Sequence, residues 1–185
     1  MITDQTHPTH PLIVATAHWL DKAVIGLDLC PFAKAVRVKQ RVRFVVSAAA
    51  NEFELLAELA AELSHLQHTS PDITDTTLLI LPTLLADFAD FNQFLGEVDV
   101  LLQKLDLEGD FQVADFHPNY QFADAAPDDI SNYTNRTPYP TLHLLRESSI
   151  DKAVAAFPDA SVIYQKNIAT LNKLGLDGWQ TLMQD

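Results

Sequence analysis

Strand-like and helix-like patterns alternate along the first two thirds of this chain, and their order limits the folds it can adopt. Residues 41–47 ("RVRFVVS") place apolar side chains at alternate positions, and residues 76–81 ("TTLLIL") are apolar almost throughout. Residues 111–116 form a third stretch of this kind, and helical periodicity fills both intervals. A strand–helix–strand–helix–strand order predicts right-handed crossovers and a largely parallel sheet.

The rest of the chain adds one strand and several helices. Residues 141–146 ("TLHLLR") read as a fourth strand, which can run in either direction. Asn51 and Glu54 have the spacing of a capping box at the start of the first crossover helix. The remaining helices are expected over residues 11–27, 31–38, 87–105, 148–157 and 159–174, with a small one around Trp179.

These elements predict an α/β fold made of one domain over residues 1–185. Its four-stranded, mostly parallel sheet carries packed helices, and an N-terminal helix precedes the first strand. A ferredoxin-like α+β layout is the alternative, although it requires a β-hairpin that the pattern does not show. Residues 1–10 are expected to form a mobile tail.

Charge and composition exclude several classes of partner. The formal net charge of −13 argues against binding to nucleic acids or anionic membranes, because both require a basic surface. No apolar run approaches the roughly 20 residues that span a membrane. The first residues do not resemble a signal peptide, and a single cysteine cannot form an internal disulfide, so a cytoplasmic location is expected. The oligomeric state stays open.

The single cysteine lies in residues 26–36 ("GLDLCPFAKAV"). Pro31 suits the first position of a helix, which predicts Cys30 at the N-cap. The helix dipole and Lys34 would then lower the pKa of the Cys30 thiol and make it a nucleophile or a redox thiol. The alternative is that Cys30 is a small buried hydrophobic residue. The sequence "CPFA" is similar to the active-site turn of glutaredoxin-like thiol transferases, and "YPTLHL" resembles their cis-proline strand, although Ala33 replaces their resolving cysteine.

His117 follows the third strand, where ligands bind in parallel sheets, and it is the candidate proton-transfer partner of Cys30. The segment of residues 117–140 lacks periodicity but is rich in aromatic residues, so we expect an ordered loop. Arginine and lysine side chains near these elements would bind an anionic substrate. The candidate substrate-binding residues are Lys34, Arg37, Asn119, Tyr120, Tyr133, Asn135, Arg136, His143 and Arg146.

Strand alternation places His143 and Arg146 on opposite faces of the fourth strand. For Arg146 the alternative to ligand binding is a structural ion pair with Glu147 or with a carboxylate on a helix. The common metal-binding and nucleotide-binding motifs are missing, so no metal site is predicted and the cofactor stays open.

Three stretches, "GLDLCPFAKAV", "HPNYQF" and "NYTNRTPYPTLHLLRE", together resemble a bacterial and plant family catalogued as domain of unknown function 1415. The resemblance extends from about residue 17 to residue 174. It implies which segments to inspect, and it implies no reaction and no residue roles.

Two hypotheses about function follow. The first is an enzyme that acts on a small anionic molecule, with Cys30 as nucleophile or redox thiol and His117 as its partner. It requires the loop of residues 117–140 to bring His117 to Cys30. The second is a non-catalytic module that binds a ligand or a protein through this loop, with Cys30 buried and inert.

Overall fold

A four-stranded sheet with the strand order β1-β2-β4-β3 organises the protein. The computed structural model describes residues 6–156 and 160–184. The strands are β1 (Val42–Val46), β2 (Thr76–Ile80), β3 (Phe111–Phe116) and β4 (Thr141–Arg146). The α-helices are α1 (Pro11–Trp19), α2 (Ala33–Val38), α3 (Glu52–His68), α4 (Phe88–Lys104), α5 (Glu147–Ala156) and α6 (Ala160–Gln184). A π-helical turn (Leu20–Ile25) continues α1.

The prediction of a mostly parallel sheet is wrong. β1 and β2 are parallel, but β4 enters between β2 and β3 and runs antiparallel to both. Phe116 at the end of β3 pairs with Thr141 at the start of β4. The chain therefore leaves β3 and enters β4 at the same end of these two neighbouring strands. The ferredoxin-like alternative does not fit either, because α4 connects β2 to β3 and the two strands are not neighbours.

Two layers of helices cover the two faces of the sheet. Strand alternation puts Val45, Leu79 and Leu144 on the first face, where they pack against α3 and α4 in the larger apolar core. The second face, called the cavity face below, carries Phe44, Leu78 and His143 from three neighbouring strands. It packs against α1, the π-helical turn, α2 and α6 in a smaller core.

Side-chain hydrogen bonds to free N–H groups explain where α3 and α4, the helices that connect β1 to β2 and β2 to β3, begin. The Asn51 side chain accepts the N–H of Glu54 at 2.9 Å, and the Glu54 carboxylate accepts the N–H of Ala50 at 2.8 Å. This is a variant of the predicted capping box, in which Glu54 reaches the N–H of Ala50 instead of the N–H of the N-cap residue Asn51. The Asp87 side chain accepts the N–H groups of Ala89 and Asp90 at the start of α4.

The C-terminal helices follow the predicted pattern within the described residues. Gly175, with φ 66° and ψ 174°, interrupts α6 where a helix end was expected. The predicted helix boundaries at Phe157 and Asp159 and the first half of the predicted tail lie outside the described residues. His10 of that tail caps α1, because its Nδ1 accepts the N–H of Leu12 at 3.3 Å.

The segment of residues 117–140 is held by its own polar groups. It contains a 3₁₀ turn (Ile130–Thr134) and the fully buried Asn132. The Asn132 amide accepts the N–H of Phe122 at 3.0 Å and donates to the carbonyl of Ala126 at 2.8 Å. These bonds replace the missing regular structure, since backbone groups that packing shields from water must still be paired.

Candidate functional site

A cavity of about 310 Å³ lies on the cavity face of the sheet. The strands supply its floor, including Thr76, Ala114 and His143, and the other walls come from α1, the π-helical turn, α2 and α5. The Ser149 hydroxyl donates to the Asp75 carboxylate at 2.6 Å and so ties α5 to the start of β2. The lining consists of Trp19, Leu20, Val24, Cys30, Phe32, Ala33, Val36, Val42, Asp75, Thr76, Leu78, Ala114, Phe116, His143, Leu145, Arg146, Ser149, Ile150 and Ala153.

A tight turn brings Cys30 to the cavity wall. Gly26 permits it, because a Cβ at this position would lie 2.2 Å from the carbonyl oxygen of Lys22. Asp28 adopts φ 54°, a left-handed conformation that aspartate tolerates better than most residues. The N–H of Leu29 bonds to the Val24 carbonyl at 2.9 Å, and Asn167 of α6 donates to the carbonyl of Leu29 at 2.9 Å. The chain therefore holds Cys30 in a defined, half-buried position.

The electrostatic prediction for Cys30 is wrong. Burial raises the pKa of the Cys30 thiol, and the N–H groups of Phe32 and Ala33 and the charge of Asp28 have smaller effects. The regular part of α2 begins at Ala33 with Phe32 as its N-cap, so Cys30 does not cap the helix. Lys34 lies exposed on α2. The thiol is therefore predominantly protonated at neutral pH, because desolvation disfavours the thiolate.

Alkylation of the native protein tests this. We expect Cys30 to react with iodoacetamide with an apparent pKa above the roughly 8.5 of a free thiol. Mass spectrometry over a pH series measures the rate. The urea-denatured chain is the internal reference, since it contains the same single cysteine. An apparent pKa in the native protein below that of the denatured chain would contradict the expectation.

His143 is the other chemically active group at the cavity. Its Nε2 lies 2.7 Å from the Thr76 hydroxyl oxygen, and that hydroxyl donates to the carbonyl of Leu144 at 2.6 Å. A hydroxyl has one proton, so the His143 Nε2–H must donate to Thr76. Burial lowers the pKa of His143 to about 4, which keeps the ring neutral at physiological pH. Its Nδ1 then carries the free lone pair.

The structure does not bring His117 to the cavity. His117 is fully buried between the rings of Phe88 and Phe91 of α4, whose centroids lie 5.3 and 5.1 Å away. Its Nε2–H donates to the carbonyl of Leu85 at 3.1 Å, and its Nδ1 accepts the N–H of Asn119 at 3.0 Å. Burial lowers its pKa. Both ring nitrogens are used, so His117 secures the start of the loop.

The loop side chains that were predicted to bind substrate contact one another. Arg136 donates to the carbonyls of Tyr120 at 3.0 Å and Pro127 at 2.7 Å, and its guanidinium lies 4.5 Å from the ring centre of Tyr133. Tyr133 also packs on Trp179 of α6. The carbonyl of Asn135 accepts the N–H of His117 at 3.2 Å. In this arrangement these groups stabilise the loop.

Two of the predicted anion-binding cations near the cavity, Arg37 and Arg146, have protein partners. Arg37 makes a bidentate ion pair with Asp21, with both distances 2.8 Å. Arg146 points away from His143, as strand alternation predicted. Its Nη2 lies within hydrogen-bond distance of the carbonyls of Leu66, of Thr69 at 2.7 Å and of Thr74 at 3.2 Å. The structural alternative for Arg146 fits this geometry, with carbonyls in place of a carboxylate.

Sequence reasoning selected Cys30 and His143 and missed the residues that complete the site. Trp19 and Thr76 contribute a ring and a positioning hydroxyl to the cavity. The available signal for Thr76 was its position in the pair of threonines that opens a strand whose other residues are apolar. Within residues 6–156 and 160–184, no group of three acidic, histidine or cysteine side chains could hold a metal ion. In the same residues, no helix combines the length and apolarity needed to cross a bilayer.

The fold and the cavity define an α/β protein with a mixed sheet and an apolar site on one face. The profile of the family described as protein of unknown function (DUF1415) matches residues 12–181, and the chain belongs to this family. No curated protein and no solved structure matches the chain.

Proposed function

We propose that the protein binds a small, mainly apolar molecule in the cavity that Cys30 and His143 line. The observation that carries the proposal is a cavity of about 310 Å³ whose lining is apolar except at a few positions, among them Cys30 and His143. Cavities of this size and composition are typical of small-molecule sites. An apolar cavity of about 150 Å³ accommodates benzene, so this cavity has room for a molecule with two fused rings.

The charges around the cavity favour this ligand over an anionic substrate. Among the described residues, Arg146 is the only lysine or arginine on the lining, and its Nη2 already faces three main-chain carbonyls. Asp75 adds an acidic group. An anion would therefore lose its hydration without gaining a cationic partner, which is unfavourable in an apolar environment.

The same geometry favours binding over thiol catalysis. A nucleophilic cysteine needs a lowered pKa or an adjacent base. Burial raises the pKa of Cys30, and the low pKa of His143 makes it a weak base. The enzyme hypothesis stays a prediction, and the alkylation experiment above tests its central requirement.

Filling the cavity tests the proposal. We expect the wild-type protein to bind 2-naphthol or 2-methylnaphthalene in isothermal titration calorimetry. Ala114 lies on the cavity floor, so Ala114→Leu should weaken this binding at least about ten-fold by occupying the ligand's volume. Ala89→Leu is the matched control, because Ala89 is exposed on α4. Thermal melts establish that both variants fold.

Two results would overturn the proposal. One is the absence of binding of both probes to the wild-type protein. The other is binding to the folded Ala114→Leu variant with the affinity of the wild type, which would place the probes elsewhere.

A further inference from the structure

The polar groups of the cavity restrict the chemistry of its ligand, and this inference rests on the proposed function. We infer that the ligand is a small cyclic molecule that carries one hydrogen-bond donor, a hydroxyl or N–H group, and that His143 Nδ1 accepts this hydrogen bond. The hydroxyl of Thr76 decides which ring nitrogen of His143 carries the proton.

Thr76 has a single hydroxyl proton and two close partners. Its oxygen lies 2.6 Å from the carbonyl oxygen of Leu144 and 2.7 Å from His143 Nε2. A carbonyl only accepts, so the proton points at Leu144 and the Thr76 oxygen accepts from His143. The strand pairing holds this arrangement, because Thr77 and Leu144 are paired in register between β2 and β4. Thr76 is therefore a positioning residue for the His143 tautomer.

Nδ1 is the nitrogen of His143 that is left for a ligand. Within the described residues it has no hydrogen-bond partner in the structure, and the His143 ring forms part of the cavity lining. The low pKa of His143 keeps Nδ1 unprotonated, so it remains an acceptor at neutral pH. A donor group on the ligand would satisfy it, whereas a ligand with only acceptors would bring two lone pairs together.

Among the other described side chains of the lining, only Asp75 is a strong acceptor, and it already has a protein partner. The Asp75 carboxylate accepts the Ser149 hydroxyl at the edge where α5 meets β2. The Cys30 sulfur is a weak hydrogen-bonding group. The indole N–H of Trp19 is buried without a hydrogen-bond partner among the described residues, and it is a donor, not an acceptor. The carbon surfaces of the rings of Trp19, Phe32 and Phe116 are suited to the apolar body of the ligand. The cavity thus combines the fixed acceptor of His143 with a largely apolar lining.

A pair of probes of equal size tests the inference. 2-Naphthol carries a hydroxyl donor, and 2-methylnaphthalene has a methyl group in its place. The quantity to measure by calorimetry is the ratio of the two dissociation constants in each protein. We expect His143→Leu, a replacement of similar volume, to reduce the preference for 2-naphthol about five-fold, the usual value of one neutral hydrogen bond. The affinity for 2-methylnaphthalene should change little.

Two further measurements separate this role from a purely structural one. Nitrogen-15 NMR of the wild-type protein should show His143 neutral with the proton on Nε2, and 2-naphthol should shift the Nδ1 resonance. Thr76→Val should also reduce the preference for 2-naphthol, because the ring loses the oxygen that holds its tautomer. His65→Leu, at an exposed position on α3, is the matched control and should leave the ratio unchanged.

The outcomes distinguish this inference from the proposed function. If both probes bind with a ratio that His143→Leu does not alter, or if the proton lies on Nδ1, the inference is wrong and the cavity remains a binding site. If neither probe binds to the wild-type protein, the proposed function fails, and the inference fails with it.

Discussion

The Arg146→Met variant is expected to lose about 3 kcal/mol of unfolding free energy, the range seen when a buried hydrogen-bonding network is broken. Arg146 is 8 % exposed, and its Nη2 faces the carbonyls of Leu66, Thr69 and Thr74. The first two carbonyls lie at the C-terminal end of α3, where a cation is also favoured by the helix dipole. Methionine fills similar space but removes this donor from the carbonyls of Thr69 and Thr74, whereas the Leu66 carbonyl keeps the N–H of Thr69 at 3.1 Å.

Thermal unfolding measures the effect, which corresponds to a fall in melting temperature of about 6–12 °C for a chain of this size. Arg146→Lys should show a smaller loss of unfolding free energy, because lysine keeps the charge and a hydrogen-bond donor. This variant replaces Arg146→Met in the test if the methionine variant does not fold. The control is Arg37→Met, which removes the more exposed ion pair with Asp21 and should cost less than about 1 kcal/mol. Equal shifts for Arg146→Met and Arg37→Met would contradict the structural role of Arg146.

Acidification is expected to destabilise the wild-type protein through His143. Burial lowers the pKa of His143 from 6.5 to about 4 in the folded state. Below pH 6.5 the unfolded chain therefore binds a proton that the native state does not, and stability falls until the pH reaches about 4. The difference of the two pKa values corresponds to about 3 kcal/mol. Above pH 6.5 His143 makes no pH-dependent contribution, because it is neutral in both states.

Urea denaturation between pH 4 and pH 7.5 tests this, with His143→Leu as the comparison. The wild type should lose about 3 kcal/mol more than this variant as the pH falls across that range. His117 contributes a slope of the same sign, because burial also lowers its pKa, and it is present in both proteins. His65→Gln on the exposed face of α3 is the control. Identical slopes for the wild type and His143→Leu would show that His143 does not carry the effect.

The local elements were predictable because each is encoded by a short pattern. The capping box of Asn51 and Glu54 and the break at Gly175 depend on neighbours within a few residues. The insertion of β4 was not predictable in this way. Its position depends on which strand edges remain open after β1, β2 and β3 have assembled, and a loop of residues 117–140 is long enough to allow either direction.

In the candidate site too, short sequence patterns predicted some features and the tertiary structure decided the others. Alternation along β4 correctly put His143 and Arg146 on opposite faces. The structure does not place His117 on the cavity that Cys30 lines, because His117 turns into the core under α4 while the insertion of β4 places His143 on the cavity face. The pKa of Cys30 was mispredicted for a related reason. The sequence shows the proline and the lysine that follow it, but not the burial that outweighs them.

The sequence alone therefore determined the helices, the strands, the alternation of faces along each strand and the family, all of which follow from contacts between nearby residues or from motif identity. The tertiary structure decided the rest. Only the antiparallel insertion of β4 brings His143 next to Thr76, 67 positions away in the chain, and into the cavity that Cys30 lines. Burial then sets the protonation of both groups, because desolvation depends on the packing of distant segments.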